Sequence, residues 1–404
     1  MITAISWRNI WRSKGRSLVV IGAIAVGIWA LIFLVGFMNA WLVTYVKNQI
    51  KYESAHLQVH HPRFKKDYEV IYTIKSNNKV LADLIKKEEV RALAHRSISN
   101  GMIASPRKAG GVQIKGIVPD EEIALNRIDS FISEGSYFQN VKRNPIVIGY
   151  KLAEKLKVKL RSKVVLTLQD KDGQIVSGAF RICGILKSSF PSINELNVQV
   201  RQNDLNRLLG IGNDYHEIAV LLKSNVDATL FSEGLRIEHS ELMIEDWKQL
   251  APEMEYFLES SAGFIWVLQI IIMISLIFGI INTMLMSVLE RFKELGMLMA
   301  VGMEKSRIFR MIMTETLFLA IIGSPIGLLL AWLTIAWFGS HGMDLSNYSQ
   351  GLEMYGYDNV LYPVVPPGSY FQVIAGVFLT AILGAIYPAI KAIRLKPIEA
   401  LHKI

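Results

Sequence analysis

Three histidines near the start of the chain come nearest to the residue types and spacing of a metal-binding or catalytic site. His56, His60 and His61 lie in a short segment of alternating apolar and polar residues, which predicts a β-strand. Imidazoles bind zinc, but no acidic residue stands at metal-ligand spacing in this segment. Alternation along a strand also places His60 and His61 on opposite faces. We therefore expect solvent-exposed strand residues, no metal site, and no enzyme.

Redox and nucleotide chemistry have little support in the sequence. Cys183 is the only cysteine, so an intramolecular disulfide is excluded, and its place in the strand-like residues 180–186 predicts a small core residue. The GxxxxGK[ST] phosphate loop is absent from the sequence, so the chain is not expected to bind ATP in that way. No cofactor is predicted for this chain.

A charged segment at residues 290–315 separates two long apolar stretches. It reads ERFKELGMLMAVGMEKSRIFRMIMTE and is too short to be a domain. Its basic residues are Arg291, Lys293, Lys305, Arg307 and Arg310. Two membrane spans joined by a short basic connector predict a cytoplasmic hairpin, on which a soluble partner can act.

Four uncharged apolar segments predict membrane-spanning helices. Hydrophobic residues make up 51% of the 404 residues. The predicted spans are residues 17–46, 263–289, 316–340 and 369–390. Each is long enough to cross a bilayer, and in lipid only a helix satisfies its own backbone hydrogen bonds in such a segment.

The lysines and arginines predict the orientation of these spans. Of the short segments that flank the spans, residues 1–16, the connector 290–315 and the tail 391–404 carry lysines and arginines, whereas the loop 341–368 has none. By the positive-inside rule, both termini and the connector are cytoplasmic, and residues 47–262 lie on the periplasmic side of a bacterial inner membrane. Topology accounts for much of the net charge of +9. Because a basic stripe with interleaved aromatic residues is missing from the sequence, no nucleic-acid partner is expected.

The region 47–262 reads as an α+β domain inserted between the first and second spans. Its strand-like segments alternate, and Asp172-Gly173 between two of them indicates a hairpin. A helix over 246–260 is expected to run into the second span, with Pro252 as the residue at which it would kink, and the first span is expected to continue past the bilayer through Trp41 and Tyr45. Two stiff stalks would then join the domain to the membrane.

The connector resembles the cytoplasmic coupling element of the FtsX-like permease superfamily, whose motif is roughly E-(R/K)-x-x-(E/D)-(I/L)-G-x-x-x-(A/T)-x-G. The matching residues are Glu290, Arg291, Glu294, Leu295, Gly296, Ala300 and Gly302. The opening SWRNIWRSKGRSL and the tail YPAIKAIRLKPIEAL, with Pro397, Ala400 and Leu401 in place, resemble the same superfamily. In the external region, VQIKGIVPDEE and FRICGIL are similar to the MacB-type periplasmic core. The overall plan resembles lipoprotein-releasing permeases of the LolC/LolE type.

The resemblance implies a permease that works as a dimer, with a second copy or a paralogue, and with a separate ABC ATPase that carries ATP-Mg. That ATPase would press on the coupling element, whose apolar face includes Phe292 and Leu295. The alternative is that the charges of this segment only anchor a connector at the membrane surface.

Aromatic residues give a candidate site for amphipathic cargo. Trp29, Phe33, Phe37 and Trp41 recur every fourth residue in the first span, and Phe264 with Trp266 opens the second. The resemblance implies that lipoprotein acyl chains bind between these two helices. The alternative is ordinary lipid-facing or helix-packing aromatics. No ionisable residue falls inside the predicted spans, which argues against ion conduction.

Three functions stay open on the sequence alone. The leading one is release of lipoproteins or other amphipathic cargo from the inner membrane. The second is MacB-like export of peptides or small amphiphiles, and the third is FtsX-like regulation of a cell-wall hydrolase. The predicted hairpin over residues 170–176 is short and lacks proline. In the LolC-type permeases that the chain resembles, a protruding hairpin that bears a proline captures the periplasmic lipoprotein carrier. The resemblance therefore argues against direct capture of such a carrier by this chain, and leaves a LolE-like role or a system without that contact.

Overall fold

The computed structural model describes residues 2–139, 141, 143–188, 190–224, 226–348, 352 and 360–394. The motif residues Pro397, Ala400 and Leu401 lie outside this part of the chain, as do most of the predicted tail and part of the predicted loop 341–368.

The chain folds into two compact units. The helical unit comprises Met1–Leu42, Leu258–Asp344 and Val360–Ile404, and the sheet unit comprises Val43–Phe257 and Leu345–Asn359. A mixed α+β domain thus follows the first long helix and precedes the second, which confirms the predicted fold class.

The described α-helices differ greatly in length. They are α1 (Ile2–Arg12), α2 (Lys14–Gln49), α3 (Phe64–Asp67), α4 (Val80–Lys86), α5 (Pro119–Asn126), α6 (Tyr150–Leu156), α7 (Gln202–Leu209), α8 (Ala228–Glu238), α9 (Trp247–Leu250), α10 (Pro252–Glu290), α11 (Phe292–Ala300), α12 (Lys305–His341) and α13 (Pro367–Ile393). Single π-helical turns cover Ile50–Ser54 and Ser192–Leu196, and 3-10 turns cover Ile128–Phe131 and Ser346–Tyr348.

The described strands are mostly short. They are β1 (Leu57–His60), β2 (Val90–Ala104), β3 (Ala109–Ile117), β4 (Ile132–Gly135), β5 (Pro145–Gly149), β6 (Lys163–Gln169), β7 (Ile175–Leu186), β8 (Asn197–Arg201), β9 (Glu217–Leu222), β10 (Met243–Asp246), β11 (Met343–Asp344) and β12 (Val360–Leu361).

In the part of the chain that the structure describes, four helices are long and apolar enough to cross a membrane. They are Lys14–Ser54, Pro252–Glu290, Lys305–His341 and Pro367–Ile393, where the first includes the π-turn after α2. Each contains one of the four predicted apolar segments. Length and hydropathy therefore identify the same four helices in the sequence and in the structure.

Small residues allow these helices to approach each other closely. A Cβ atom on Gly327 of α12 would lie 2.6 Å from the carbonyl oxygen of Ala25 on α2. One on Gly384 of α13 would lie 3.0 Å from Ile280 on α10. Such contacts between backbones are typical of helix packing in membranes, where no hydrophobic effect drives helices together.

The sheet unit has a ten-stranded sheet in the order β10-β1-β9-β2-β3-β8-β5-β7-β4, with β6 paired to β2 and β7. The long strand β2 joins two parts of this sheet. Its first half pairs with β9, and its second half pairs with β3 and β6. An apolar core lies on each part, one around Leu57, Ile218 and Leu84, the other around Ile114 and Phe180.

The predicted hairpin at Asp172-Gly173 is present, since β6 and β7 pair antiparallel around it. Gly173 has φ +81, a left-handed conformation that glycine adopts without steric cost.

The prediction of one continuous helix over 246–260 is wrong. Helix α9 ends at Leu250, Ala251 has φ −136 and ψ 69, and α10 begins at Pro252. Proline has no N–H to donate to the preceding turn, and its ring disfavours the helical conformation of the residue before it. Pro252 therefore starts a new helix, and this second stalk has a break where a rigid rod was expected.

Candidate functional site

The predicted coupling element is a short helix, α11, which follows directly after the second membrane helix. α10 ends at Glu290 and α11 begins at Phe292, with Arg291 between them. The helix is closed by Gly302, whose φ of +98 suits a glycine after a helix end, and whose N–H donates to the Met299 carbonyl at 3.1 Å. The motif spacing thus encodes one helix bounded by two turns.

One side of α11 is buried in the helical unit. Leu295 and Gly296 are buried, and Leu295 belongs to an apolar cluster with Val288, Met311 and Ile312. The buried motif residues therefore hold the helix against α10 and α12.

The opposite side of α11 is exposed and partly apolar. Met297 is 55% exposed and Val301 is 85% exposed, and Lys293 and Ala300 are exposed beside them. Lys293, Met297 and Val301 are spaced by four residues and so follow one helix face. We call Lys293, Met297, Ala300 and Val301 the exposed stripe. The exposed stripe thus combines the charge of Lys293 with the apolar side chains of Met297 and Val301.

A bifurcated ion pair ties the start of α11 to α12. The Arg291 guanidinium Nη1 lies 3.2 Å from both carboxylate oxygens of Glu315. Glu315 is only 5% exposed. A buried carboxylate is costly unless it is paired, so this contact restricts how α11 can sit on α12.

Two other acidic residues of the connector are paired with the N-terminal helices. Arg12 Nη2 lies 2.6 Å from Glu294 Oε1, and Arg16 Nη2 lies 2.8 Å from Glu290 Oε2. The first pair is more solvent-exposed, with side chains 69% and 37% exposed. Pairs of this kind contribute between about 0 and 1 kcal/mol to stability. The coupling element therefore includes residues from α1 and α2.

Hydrogen bonds join α1 to α12 and to α2. The Ser6 hydroxyl donates to the Met311 carbonyl at 3.0 Å, and the Ser17 hydroxyl donates to the Ile10 carbonyl at 2.6 Å. Trp7 and Trp11 are about half exposed and meet edge to face at 6.1 Å. Half-exposed tryptophans on a helix of this kind are typical of the membrane–water interface.

The aromatic residues predicted to contact cargo fall into two groups. The Trp29 indole donates to the Thr334 hydroxyl at 3.0 Å and stacks on Phe33, which in turn contacts Phe338. These two residues therefore face α12. Phe37 and Trp41 lie further along α2, and their ring centroids are 6.0 Å apart.

The two predicted cargo residues on α10 have another environment. Phe264 is 56% exposed and Trp266 is 51% exposed. The role of these two residues in cargo binding stays a prediction, as does that of the aromatic residues on α2.

The sheet unit contains a buried ionic cluster that the sequence reasoning missed. Arg96 donates to both oxygens of Glu122 at 3.0 and 2.6 Å, and to Glu217 at 2.8 Å. His60 lies 3.2 Å from the other oxygen of Glu217. The expectation that His60 is solvent-exposed is wrong, because it is 1% exposed. The available signal was Glu217, a charged residue at the start of the apolar strand EIAVLL.

Electrostatics within this cluster keep Arg96 and Glu217 charged. Burial by itself raises the pKa of Glu217, but the His60 hydrogen bond and the Arg96 charge together hold that pKa well below its ordinary value. Burial lowers the pKa of Arg96, and the carboxylates of Glu122 and Glu217 outweigh that effect and raise it. The cluster is a structural ion pair network within the sheet unit.

Metal binding has no support in the described part of the chain, where no three His, Cys, Asp or Glu side chains are grouped to hold an ion. His56 accepts a hydrogen bond from the Leu222 N–H at 3.1 Å, and burial lowers its pKa. Cys183 is buried, as expected for a core residue.

Two family models match the chain. The FtsX-like permease C-terminal family matches residues 266–397, and the MacB-like periplasmic core domain family matches residues 17–237. The first match includes the connector and α12, and the second includes most of the sheet unit.

Individual proteins are similar to this chain over different shares of its length. The uncharacterized ABC transporter permease MJ1507 of Methanocaldococcus jannaschii is 24% identical over 99% of this chain and 97% of its own length. The macrolide export ATP-binding/permease protein MacB of a Shewanella species is 27% identical over 55% of this chain, and that match spans 33% of the relative. The periplasmic region of MacB from Actinobacillus actinomycetemcomitans, a crystal structure, covers 51% of this chain and 95% of its own with 13% identity and a TM-score of 0.36.

Proposed function

Because this chain belongs to the FtsX-like permeases with a MacB-like periplasmic core domain, and is a multi-pass ABC transporter permease of that type, we propose that a separate ATPase drives it through α11. ATP-Mg would bind to that partner, and the permease would convert its stroke into movement of the sheet unit. The cargo we propose is a lipoprotein or another amphipathic molecule, released from the membrane.

The exposed stripe on α11 is the observation that carries this proposal. Met297 and Val301 are exposed apolar side chains, and Lys293 adds a charge beside them. Behind them, buried Leu295 and the Arg291–Glu315 pair brace the helix against α10 and α12. A helix that is fixed on one side and free on the other is suited to accept a push from a docked protein.

Two helices can carry that push out of the helical unit. α2 and α10 both begin or end beside the connector, and both have residues that belong to the sheet unit. Within the sheet unit, Tyr45 of α2 contacts Phe257 of α10 with ring centroids 5.1 Å apart. Because the two helices contact each other there, movement of one either moves the other or is resisted by it. The membrane orientation we propose is the one that the lysines and arginines predict, with connector and termini cytoplasmic.

A release function for lipoproteins is supported by the apolar character of the spans and by the aromatic residues on α2 and α10. The exposed residues Phe264 and Trp266 provide apolar surface on α10, and exposed apolar surface of that helix is also available to a second permease copy or a paralogue. Export of a small amphiphile is the second candidate, because one relative is named a macrolide export protein. Regulation of a cell-wall hydrolase is a third hypothesis that rests on the FtsX-like resemblance alone.

The docking proposal is tested by charged substitutions in the exposed stripe. The variant Met297→Asp/Val301→Asp, co-expressed with the ATPase encoded nearest to it, should lose co-purification of that ATPase while the permease is still inserted. The matched control is Ile237→Asp on α8, which is 84% exposed in the sheet unit and should retain the ATPase. Undiminished recruitment by the double variant would refute docking through α11.

The cargo proposal is tested separately by depletion of the protein and membrane fractionation. Mature lipoproteins destined for the outer membrane should accumulate in the inner membrane. Normal lipoprotein sorting, together with increased sensitivity to an exported amphiphile, would favour the second candidate.

A further inference from the structure

One face of the sheet at β3 and β8 is polar although other elements cover it. Val112 and Ile114 of β3 belong to an apolar core, so the alternating residues Gln113 and Lys115 lie on the other face. β8 runs parallel beside β3, with Gln113 opposite Asn197 and Lys115 opposite Gln199. The register thus sets an ammonium group among three amide side chains.

Elements from elsewhere in the sheet unit enclose this polar face. Tyr52 and Glu53 from the π-turn after α2, Asn126 from α5 and Ser192 from the second π-turn line a cavity of about 260 Å³. One water molecule occupies about 30 Å³ in the liquid, so the cavity is much larger than a site for a single bridging water. It is slightly smaller than the roughly 300 Å³ at which pockets for drug-sized ligands begin.

The other charged groups around the cavity have hydrogen-bonded partners, whereas the Lys115 ammonium has none among the described residues. Arg96 is held by Glu122 and Glu217, as described above. Glu53 accepts hydrogen bonds from Gln49, at 2.7 Å, and from the Ser192 hydroxyl. Among the described residues, none forms an ion pair or a hydrogen bond with the Lys115 ammonium.

The surroundings of the Lys115 ammonium favour the addition of an anion beside it. Burial, followed by the charge of Arg96, lowers the pKa of Lys115, and the carboxylates of Glu217, Glu122 and Glu53 oppose this effect only in part. A partly desolvated cation without a hydrogen-bonded partner gains from an added anion.

We propose that this cavity binds a small organic carboxylate that carries hydroxyl or amide groups, of the size of an amino acid or a sugar acid. The carboxylate pairs with Lys115, and the amide groups of Gln113, Asn197 and Gln199 supply donors and acceptors for the rest of the molecule. Gln199 already accepts a hydrogen bond from the Tyr137 hydroxyl at 2.9 Å through its oxygen, so its NH₂ group is oriented to donate.

The acidic side chains of the lining select against more highly charged anions. Glu53 and Glu122 both line the cavity, and each would repel a doubly charged phosphate more than a single carboxylate. Because Tyr52 and Glu53 follow α2 directly, a bound carboxylate contacts the segment in which the first membrane helix ends. The site is thus placed to make the permease responsive to a small solute.

The test uses the purified full-length protein and isothermal titration calorimetry. The probes are the free amino acids, gluconate and glucuronate, each titrated into the millimolar range. At least one probe should bind with saturation, and Lys115→Met should weaken that binding about tenfold or more, which is about 1.4 kcal/mol. The matched control Lys163→Met removes an exposed lysine of β6 and should leave the affinity unchanged.

A second variant protects the test from loss of folding. If thermal unfolding shows that Lys115→Met is not folded, the variant Asn197→Ala is used instead. It removes one amide of the cavity and should weaken binding of the same probe. The proposal is overturned if no probe binds, which would indicate a cavity for water only, or if the affinity is the same with and without Lys115. These outcomes do not depend on an ATPase, so they are separate from any failure of the proposed transport function.

Discussion

The two units of this protein both contain arginine–carboxylate pairs, but in opposite surroundings. In the sheet unit, the side chains of Arg96, Glu122 and Glu217 are between 3% and 7% exposed. In the helical unit, Arg12 and Glu294 pair on the surface of the coupling element. The same chemistry therefore has different energetic consequences in the two places.

The difference indicates which pairs can take part in a working cycle. Removal of one partner from a buried pair leaves an uncompensated charge and costs about 3–5 kcal/mol, whereas a surface pair contributes about 0–1 kcal/mol. A buried network therefore maintains the shape of the sheet unit. The surface pairs can be exchanged for a partner protein at little cost, and the Arg291–Glu315 pair lies between these extremes.

The largest expected effect is loss of Arg96. Arg96→Met leaves Glu122 and Glu217 buried without their cation, and we expect the free energy of unfolding of the sheet unit to fall by about 3–5 kcal/mol. Hydrogen exchange of β2 and β9 in the full-length protein measures this. Arg107→Met, at an exposed loop position, should change exchange little. Equal protection in both variants would contradict the assignment of Arg96 as a structural ion.

The next effect is a pH dependence at His216, which lies beside this network. Its Nδ1 accepts from the Ile98 N–H, and its Nε2 lies 3.0 Å from the Val70 carbonyl, so the neutral ring satisfies both bonds. Burial lowers the pKa of His216 from 6.5 to about 4.

Because the pKa of His216 is lower in the folded state than in the unfolded state, the unfolded state binds the extra proton at a higher pH. The stability that His216 provides is therefore complete above pH 6.5 and decreases as the pH falls toward 4, by about 3 kcal/mol in total. Thermal unfolding between these pH values measures it. His216→Gln should be less stable at neutral pH and should lose most of this dependence, whereas His341→Gln in the helical unit should keep it. A wild-type profile that is flat over this range would count against the buried neutral ring.

An intermediate effect is expected for the Arg291–Glu315 pair. Arg291→Met should destabilise the helical unit by about 2–3 kcal/mol, less than a fully buried pair because Arg291 is partly exposed. The double variant Arg291→Met/Glu315→Leu removes both charges and should recover part of the loss. Thermal unfolding in detergent micelles checks both. No recovery in the double variant would show that the loss comes from packing and not from the unpaired carboxylate.

The smallest effect on stability, and the most informative for coupling, concerns Arg12 and Glu294. Arg12→Glu should change the free energy of unfolding by less than about 1 kcal/mol. The reciprocal variant Arg12→Glu/Glu294→Arg restores the ion pair within the protein. We nevertheless expect this variant to fail to recruit the ATPase, because Glu294 is predicted to contact that partner. Co-purification of the ATPase is the measurement. Full recruitment by the reciprocal variant would place the contact on the exposed stripe alone.

Local patterns were sufficient for several elements of the fold. The four long apolar segments identified the membrane helices, because uncharged apolar helices of that length are rare in water-soluble domains. The Asp172-Gly173 dipeptide identified the β6–β7 hairpin, because its glycine adopts a conformation that larger residues avoid. The coupling motif was visible because its glycines and charges are close in sequence.

Other features depended on residues that are distant in sequence. The Pro252 break was interpreted as a bend in a continuous helix, because sequence alone did not show whether packing would compensate for the lost N–H. His60 was assigned to the surface because its partner Glu217 lies 157 positions away. The pairing of Arg12 and Arg16 with the connector also joins segments that no local pattern relates.

By itself, the sequence determined that this chain crosses a membrane with four helices, places a mixed domain after the first, and has a charged element at residues 290–315. These properties follow from composition and spacing along short stretches of the chain. Only the tertiary structure decided which charges are buried, which face of α11 is free, and where a polar face is enclosed beside Lys115. Burial and pairing are properties of neighbours in space, and the packing of distant segments selects those neighbours.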